Sequence, residues 1–327
     1  MSIDSDNRDV PPAANEIDAH IATGPGAVNH PPRTSAESNR LLSFPTADGR
    51  TVSAHDFGGE GRPLLLAHPM GFHGGVMCAL ARHLHSVHCY APDLRGHGHT
   101  TAPEDYSFPP SGAAFDILAC ADGIESKAGG GLIGMGHSLG AAALVLAELE
   151  RPGTFERLYL YEPAIIPPDG RTKIDSDSPY IRRTLRRRRA FGSLQAAYSN
   201  FSSKPPMQDF TADAFVAYIR DGFAAQADGS VLLRCLPEIE AAISMSGISF
   251  RAFEGLSEVR CPVVVGRSTL AESPGRAPYE TEVVSALPNA RLEHVGPLTH
   301  FGPQQQPAHV AVRIQSWIAG DAPAHDA

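Results

Sequence analysis

Long apolar runs are missing from this 327-residue sequence. No stretch approaches the ~20 apolar residues that a membrane-spanning helix needs. The opening segment, MSIDSDNRDVPPAANEIDAH, is acidic and has no apolar core, so it does not read as a secretory leader. Cysteine is sparse and odd in number: five residues at 78, 89, 120, 235 and 261, with no CxxC pair and no His/Cys cluster at metal-site spacing. Reduced thiols, no metal and a cytoplasmic setting are expected. An excess of basic charge is also absent. The 27 Lys and Arg against 36 Asp and Glu leave a net charge of -9, a field that repels nucleic acid and anionic membranes. No G-x-G-x-x-G fingerprint and no Walker-type lysine loop occur, so no cofactor is expected. The expected partner is a small-molecule substrate.

What is present is a repeating alternation of apolar runs and helical spacing. Residues 1–36 are rich in Pro, Ala, Asn and Asp without a periodic apolar face, and read as a flexible arm. RLLSFP and TVSAHDFG then form a hairpin around Ala47-Asp48-Gly49. PLLLAHP reads as a central strand buried on both faces. Helical spacing from Gly75 to His85 leads to the strand HCYAPDL, and a helix from Ser111 to Ser126 leads to the strand GLIGMG. After a helix over AAALVLAELE and the strand ERLYLYE, the rhythm breaks. It resumes with CPVVVG, a helix around YETEVVSALP, RLEHVG and a last helix from about Pro307 to Ile318. Such alternation predicts an α/β fold, a mostly parallel central sheet flanked by helices. The expected division is a core over 37–164 and 256–320, a helical cap over 165–255 and a tail over 321–327. The cap segment shows only helical patterns, such as Phe215, Val216, Ile219 and Phe223 along one face.

The most specific pattern is G-x-S-x-G, here Gly136, His137, Ser138, Leu139 and Gly140, between an apolar strand and an Ala-rich helix. A serine exposed on a tight strand-to-helix turn sits in strained backbone, and its neighbours pass close by. Glycine two before and two after removes the β-carbons that would collide. The helix that follows directs its positive end at the serine, and the Leu139 N–H is placed to bind an oxyanion.

With this motif the chain resembles the α/β-hydrolase superfamily, in particular its capped, esterase-like members. Three more segments match in order: LLLAHPMGF resembles the family's oxyanion loop, APDLRGHGHT its Asp-Leu-Arg-Gly-His-Gly turn, and THFGPQQQP the segment carrying the catalytic histidine. The match covers about residues 40–320.

A serine hydroxyl needs a base to become a nucleophile. Among 15 histidines, His300 lies between the last strand and the last helix, on a loop returning to the edge that carries Ser138, and the family role agrees. His68, His97 and His137 belong to turns near the site, and the resemblance implies that such residues shape loops. Matching His68-Pro69 to the family's His-Gly makes Met70 the second oxyanion donor, with Gly71 or Phe72 as alternatives. The resemblance implies an Asp after CPVVVG, yet GRSTLAES stands there. In some relatives, including certain haloalkane dehalogenases, the acid follows the preceding strand instead, which makes Glu162 the expected acid and Glu272 the alternative. The other reading of Glu162 is that it merely begins the cap.

Four consecutive arginines, Arg186–Arg189, point in all directions if helical, so a solvated and salt-bridged surface is expected; an anion held at the cap mouth is the other reading. Phe72, Phe201, Phe223 and Phe301 are candidates for an apolar pocket and equally for core. The resulting expectation is a serine hydrolase that cleaves a small or medium carboxylic ester through an acyl-enzyme. Carbon–carbon bond hydrolase, lactonase and perhydrolase chemistry are alternatives on the same scaffold. A non-catalytic ligand receptor is a further one, fed by the missing Asp.

Overall fold

The computed structural model describes residues 40–128, 131–168, 175–270 and 277–320. Its centre is an eight-stranded sheet. The strands are β1 (Arg40–Pro45), β2 (Thr51–Asp56), β3 (Arg62–Ala67), β4 (Val87–Asp93), β5 (Ile133–His137), β6 (Arg157–Tyr161), β10 (Val263–Ser268) and β11 (Ala290–Val295). The spatial order is β1-β2-β4-β3-β5-β6-β10-β11. β1 and β2 pair antiparallel, β2 joins β4 antiparallel, and every pairing from β4 to β11 is parallel.

The inner parallel strands β3, β5, β6 and β10 are buried on both faces, and the alternation of side chains divides the core in two. Leu64 and Leu66 of β3 face one cluster with Ile133, Met135, Tyr159, Tyr161 and Val264. Leu65 and Ala67 face the other with Leu158, Leu160, Val263 and Val265. This period of two explains why PLLLA is an unbroken apolar run. Each of the three leucines is fully buried, which stabilises the fold by roughly 1.5–3 kcal/mol per side chain before entropy is counted.

Helices α1 (Cys78–Ala81), α2 (Pro110–Ala128) and α3 (Leu139–Glu150) connect the strands up to β6. Helix α3 packs against α2 and the sheet, and its run from Leu139 to Glu148 is buried all round, which is why it is built from Ala, Leu and Val. From β3 the chain runs to β4 on one side, then crosses to β5 on the other. That reversal makes the carboxyl ends of β3 and β5 a topological switch point, the usual place for a ligand in an open α/β sheet.

Between β6 and β10 the chain makes an insertion with α4 (Pro179–Leu185), α5 (Leu194–Phe201), α6 (Ala212–Gly222), α7 (Pro237–Met245) and α8 (Ile248–Glu254). The expectation of helices alone is corrected here. The insertion also holds a three-stranded antiparallel sheet, β7 (Ala190–Phe191), β8 (Phe223–Ala225) and β9 (Val231–Leu233), in the order β7-β9-β8. Strands of two or three residues are too short to show a period-two pattern, and Phe223 opens β8 instead of continuing α6. After β10 come α9 (Glu280–Ala286), β11, α10 (Gly302–Gln305) and α11 (Pro307–Ala319). Among the described residues no helix is long and apolar enough to cross a membrane.

Candidate active site

The chain turns sharply at Ser138, the residue between β5 and α3. Its backbone lies at φ 54° and ψ -115°, a conformation that costs on the order of 1–3 kcal/mol and persists only where surroundings over-determine it. They do. The Ser138 N–H donates to the Tyr161 carbonyl at 3.1 Å, and the Ser138 carbonyl accepts from Ala141 and Ala164, each at 3.1 Å. The two flanking glycines are sterically required. A β-carbon on Gly136 would sit 2.4 Å from Ala141 Cα, and one on Gly140 would sit 2.2 Å from the Ala67 carbonyl oxygen. Strand β3 therefore touches the first turn of α3, bringing the loop after β3 next to Ser138.

His300 follows β11, and its Nδ1 lies 2.9 Å from Glu162 Oε2. Both side chains are buried. Glu162 itself has a left-handed backbone, φ 42°, and its N–H donates to the Gly266 carbonyl at 2.8 Å. The β6–β10 pairing sets Tyr161 opposite Gly266, so the end of β10 meets Glu162. There Ser268, the last residue of β10, donates its N–H to Glu162 Oε1 at 2.9 Å and its hydroxyl to the same oxygen. Burial alone would raise the Glu162 carboxyl, but the hydrogen bonds from His300 and Ser268 outweigh it and hold the group below its ordinary value. The ring of His137 stacks 4.8 Å from that of His300 at a tilt, placing the histidine beside the elbow. Burial, with His300 close by, pushes the His137 imidazole well below its usual value. Tyr161 donates its hydroxyl to the Thr299 carbonyl at 2.8 Å, anchoring the loop that carries His300.

The loop after β3 is pinned by two neutral histidines. His68 donates Nδ1–H to the Pro69 carbonyl at 2.8 Å and accepts the Leu94 N–H at Nε2, 3.0 Å away. His97 accepts the Gly71 N–H at Nε2, 3.2 Å. Burial holds both imidazoles low, His97 at about 4. Gly71 is thus engaged, and the Phe72 N–H donates to the Pro69 carbonyl at 3.3 Å. Among the described residues no acceptor takes the Met70 N–H. Leu139 is the first helical residue of α3, where a backbone N–H has no intrahelical partner. Among the described residues, the Gly71 and Phe72 N–H groups are engaged and that of Met70 is left available.

The other predicted residues fall as follows. The alternative acid, Glu272, lies outside the described residues. The arginine run is not one helix: α4 stops at Leu185 and Arg186 caps it. Arg187 pairs with Glu240, Arg189 pairs with Glu238, and Arg188 lies over the Phe191 ring at 4.4 Å. The Arg187–Glu240 pair borders the loop after β3, since a β-carbon on Gly71 would lie 3.2 Å from Glu240 Oε2. Phe72 meets Phe301 at 5.6 Å, Phe210 at 5.9 Å and Tyr218 at 5.3 Å between ring centroids, and Tyr218 continues the contact to Phe201 and Phe223. Ser268 was not singled out by sequence. Its signal was positional: it stands at the strand end beyond which the resemblance implies an Asp.

Comparisons with known proteins bear on the family and the fold. Lipase LipV of Mycobacterium tuberculosis is 28% identical over 102 residues, 31% of this chain and 37% of that protein. The chain therefore spans well under half the length of this curated relative. Among solved structures, the peroxisomal alpha-beta-hydrolase Lpx1 of Saccharomyces cerevisiae aligns with a TM-score of 0.68 at 17% identity, covering 93% of this chain and 89% of that one. The esterase Rv0045c of Mycobacterium tuberculosis aligns with a TM-score of 0.64 at 16% identity, covering 93% and 96%. At such identities the likeness is one of fold. The model of the alpha/beta hydrolase family matches residues 64–313, from the central strand β3 to the last helix. A matching span that contains the strained elbow and the buried Glu162–His300 pair makes this chain a member of the alpha/beta hydrolase family.

Proposed function

We propose that the chain is a serine hydrolase cleaving a small or medium carboxylic ester through an acyl-enzyme, with Ser138, His300 and Glu162 as its triad. The observation that carries this reading is the buried pair of Glu162 Oε2 and His300 Nδ1 at 2.9 Å beside the Ser138 turn. The carboxylate fixes the tautomer with hydrogen on Nδ1, which leaves Nε2 as the base. Ser138 Oγ attacks the ester carbon while His300 takes its proton. The carbonyl oxygen becomes an oxyanion held by the Met70 and Leu139 N–H groups. The C–O bond then breaks, and the alcohol leaves with the proton from His300. Water, deprotonated by the same imidazole, releases the acid and restores Ser138.

In this reading residues 165–255 act as a cap over a core made of 37–164 and 256–320. Phe72 and Phe301, with Phe210 and Tyr218 from the cap, supply an apolar wall for the acyl or alcohol group. No cofactor enters any step. Five free cysteines fit a reducing, cytoplasmic setting.

The test is labelling with a fluorophosphonate, located by peptide mapping, beside turnover of a panel of p-nitrophenyl esters. A single adduct on Ser138 is expected, and Ser138→Ala should abolish it and lower kcat by on the order of 10⁶. Folded protein that takes no label and hydrolyses no ester would sink the proposal.

A further inference from the structure

Three side chains outside this triad converge in the interior. β2 carries His55, β4 ends in Asp93, and the loop after β3 carries His73. One donor atom from each lies within 4.8 Å of the other two, and all three residues are buried. His55 Nε2 is 3.4 Å from Asp93 Oδ1. That is long for a charge-assisted hydrogen bond, which falls near ~2.7–2.9 Å. It matches the ~3.4 Å edge of a tetrahedron with ~2.0–2.1 Å metal–ligand bonds.

The surroundings aim these atoms inward. His73 Nε2 faces the Tyr218 carbonyl at 3.4 Å, and only a protonated nitrogen suits a carbonyl oxygen, so Nδ1 carries the bare lone pair. That Nδ1 is buried without a hydrogen-bond partner. Asp93 is oriented by two backbone donors, Gly74 N–H on Oδ1 and His99 N–H on Oδ2, each at 2.7 Å. A second carboxylate arrives from α6 of the insertion. A β-carbon on Gly75 would lie 2.7 Å from Asp221 Oδ2 and 2.9 Å from His73 Nδ1, so these two atoms flank the space that glycine leaves open.

We propose that His55, His73 and Asp93, with Asp221 as fourth ligand, bind a first-row divalent transition-metal ion of the zinc type. Two imidazoles with carboxylates suit such an ion, whereas calcium and magnesium call for more oxygens. Asp93 supplies one negative charge, and Asp221, whose Oδ2 also accepts from Arg220 at 2.6 Å, supplies part of a second. The cluster is closed and contains no triad residue, so the ion is structural: it ties β2, β4 and the loop that carries Met70 to helix α6 of the insertion. His73 lies three residues after Met70, which couples the ion to the oxyanion loop.

The experiment uses the full chain, stripped with EDTA and titrated with Co²⁺, with thermal unfolding followed in the presence and absence of Zn²⁺. One equivalent of Co²⁺ should bind with the visible absorption of a four-coordinate site, and Zn²⁺ should raise Tm in a concentration-dependent way. His73→Gln should weaken Co²⁺ binding by at least ~100-fold, beyond the ~10–100-fold cost of an outer contact. His55→Gln serves the same purpose if the first variant does not fold. Lack of stoichiometric binding by the wild type, or unchanged binding and absorption in a folded variant, overturns the proposal and leaves a hydrogen-bonded polar core.

Discussion

At the scale of single residues, the site turns on how one carboxylate is held. Glu162 accepts from His300 on one oxygen and from both donors of Ser268 on the other. Replacing Glu162 by Gln preserves shape but removes the charge that steadies an imidazolium. Steady-state ester hydrolysis should show kcat lowered by roughly 10⁴. Ser268→Ala removes one hydrogen bond to a charged group, worth ~1.5 kcal/mol, so kcat should fall roughly tenfold. KM should stay near wild type, because Ser268 acts through Glu162 and not on the ester. Near-normal turnover in Glu162→Gln would remove the acid assignment, whatever Ser268→Ala shows.

Ser138 and His300 are legible in the sequence as positions, whereas the acid stays open there between Glu162, the expected residue, and Glu272, the alternative. The division was physical. Glu162 and His300 lie 138 residues apart, and nothing local to Glu-Pro says which strand end it faces. Ser268 escaped notice for the same reason, since its partner is 106 residues away.

At the scale of elements, the strand–turn–helix formed by β5 and α3 is constrained by contacts that admit no β-carbon. Gly140 lies against the backbone of β3 itself, and a backbone carbonyl cannot swing aside as a flexible side chain can. Gly140→Ala should therefore destabilise the fold by about 1–3 kcal/mol, an overpacking cost, measurable as a lower urea midpoint at unchanged m value. Turnover should fall as well, because the displaced helix start carries the Leu139 N–H. The hairpin of β1 and β2, the central strand β3 and the last helix all follow from local patterns of apolar residues and turn chemistry. The insertion does not. Its three short strands carry no readable period, and its arginine run leaves α4 to make separate pairs with Glu238 and Glu240.

At the scale of the whole molecule, the buried Glu162–His300 pair links stability to pH. The Glu162 carboxyl is depressed in the folded chain relative to its ordinary value of 4.5. As pH falls through 4.5 the unfolded chain takes up the proton first, so the contribution of Glu162 is complete above that pH and is lost as pH falls through the lower folded value. Urea unfolding from neutral to acidic pH should show this loss, and Glu162→Gln should flatten that part of the profile. An unchanged slope in the variant would mean that the carboxyl is not depressed. The eight-stranded sheet brings the ends of β3, β5, β6, β10 and β11 to one edge, and so gathers Met70, Ser138, Glu162, Ser268 and His300 from across the chain.

By itself the sequence determined what depends on near neighbours: the glycine-flanked turn at Ser138, the two-sided burial of β3, and the place of His300 between the last strand and the last helix. Clashes and apolar periodicity act within a few residues, so they leave a readable trace. Only the tertiary structure decided which carboxylate meets His300, that Ser268 braces it, that Met70 keeps an available N–H while Gly71 and Phe72 do not, and that His55, His73 and Asp93 share one interior. Those facts arise from strand order and loop approach, where residues far apart in the chain become neighbours through burial of apolar faces that many different sequences could provide.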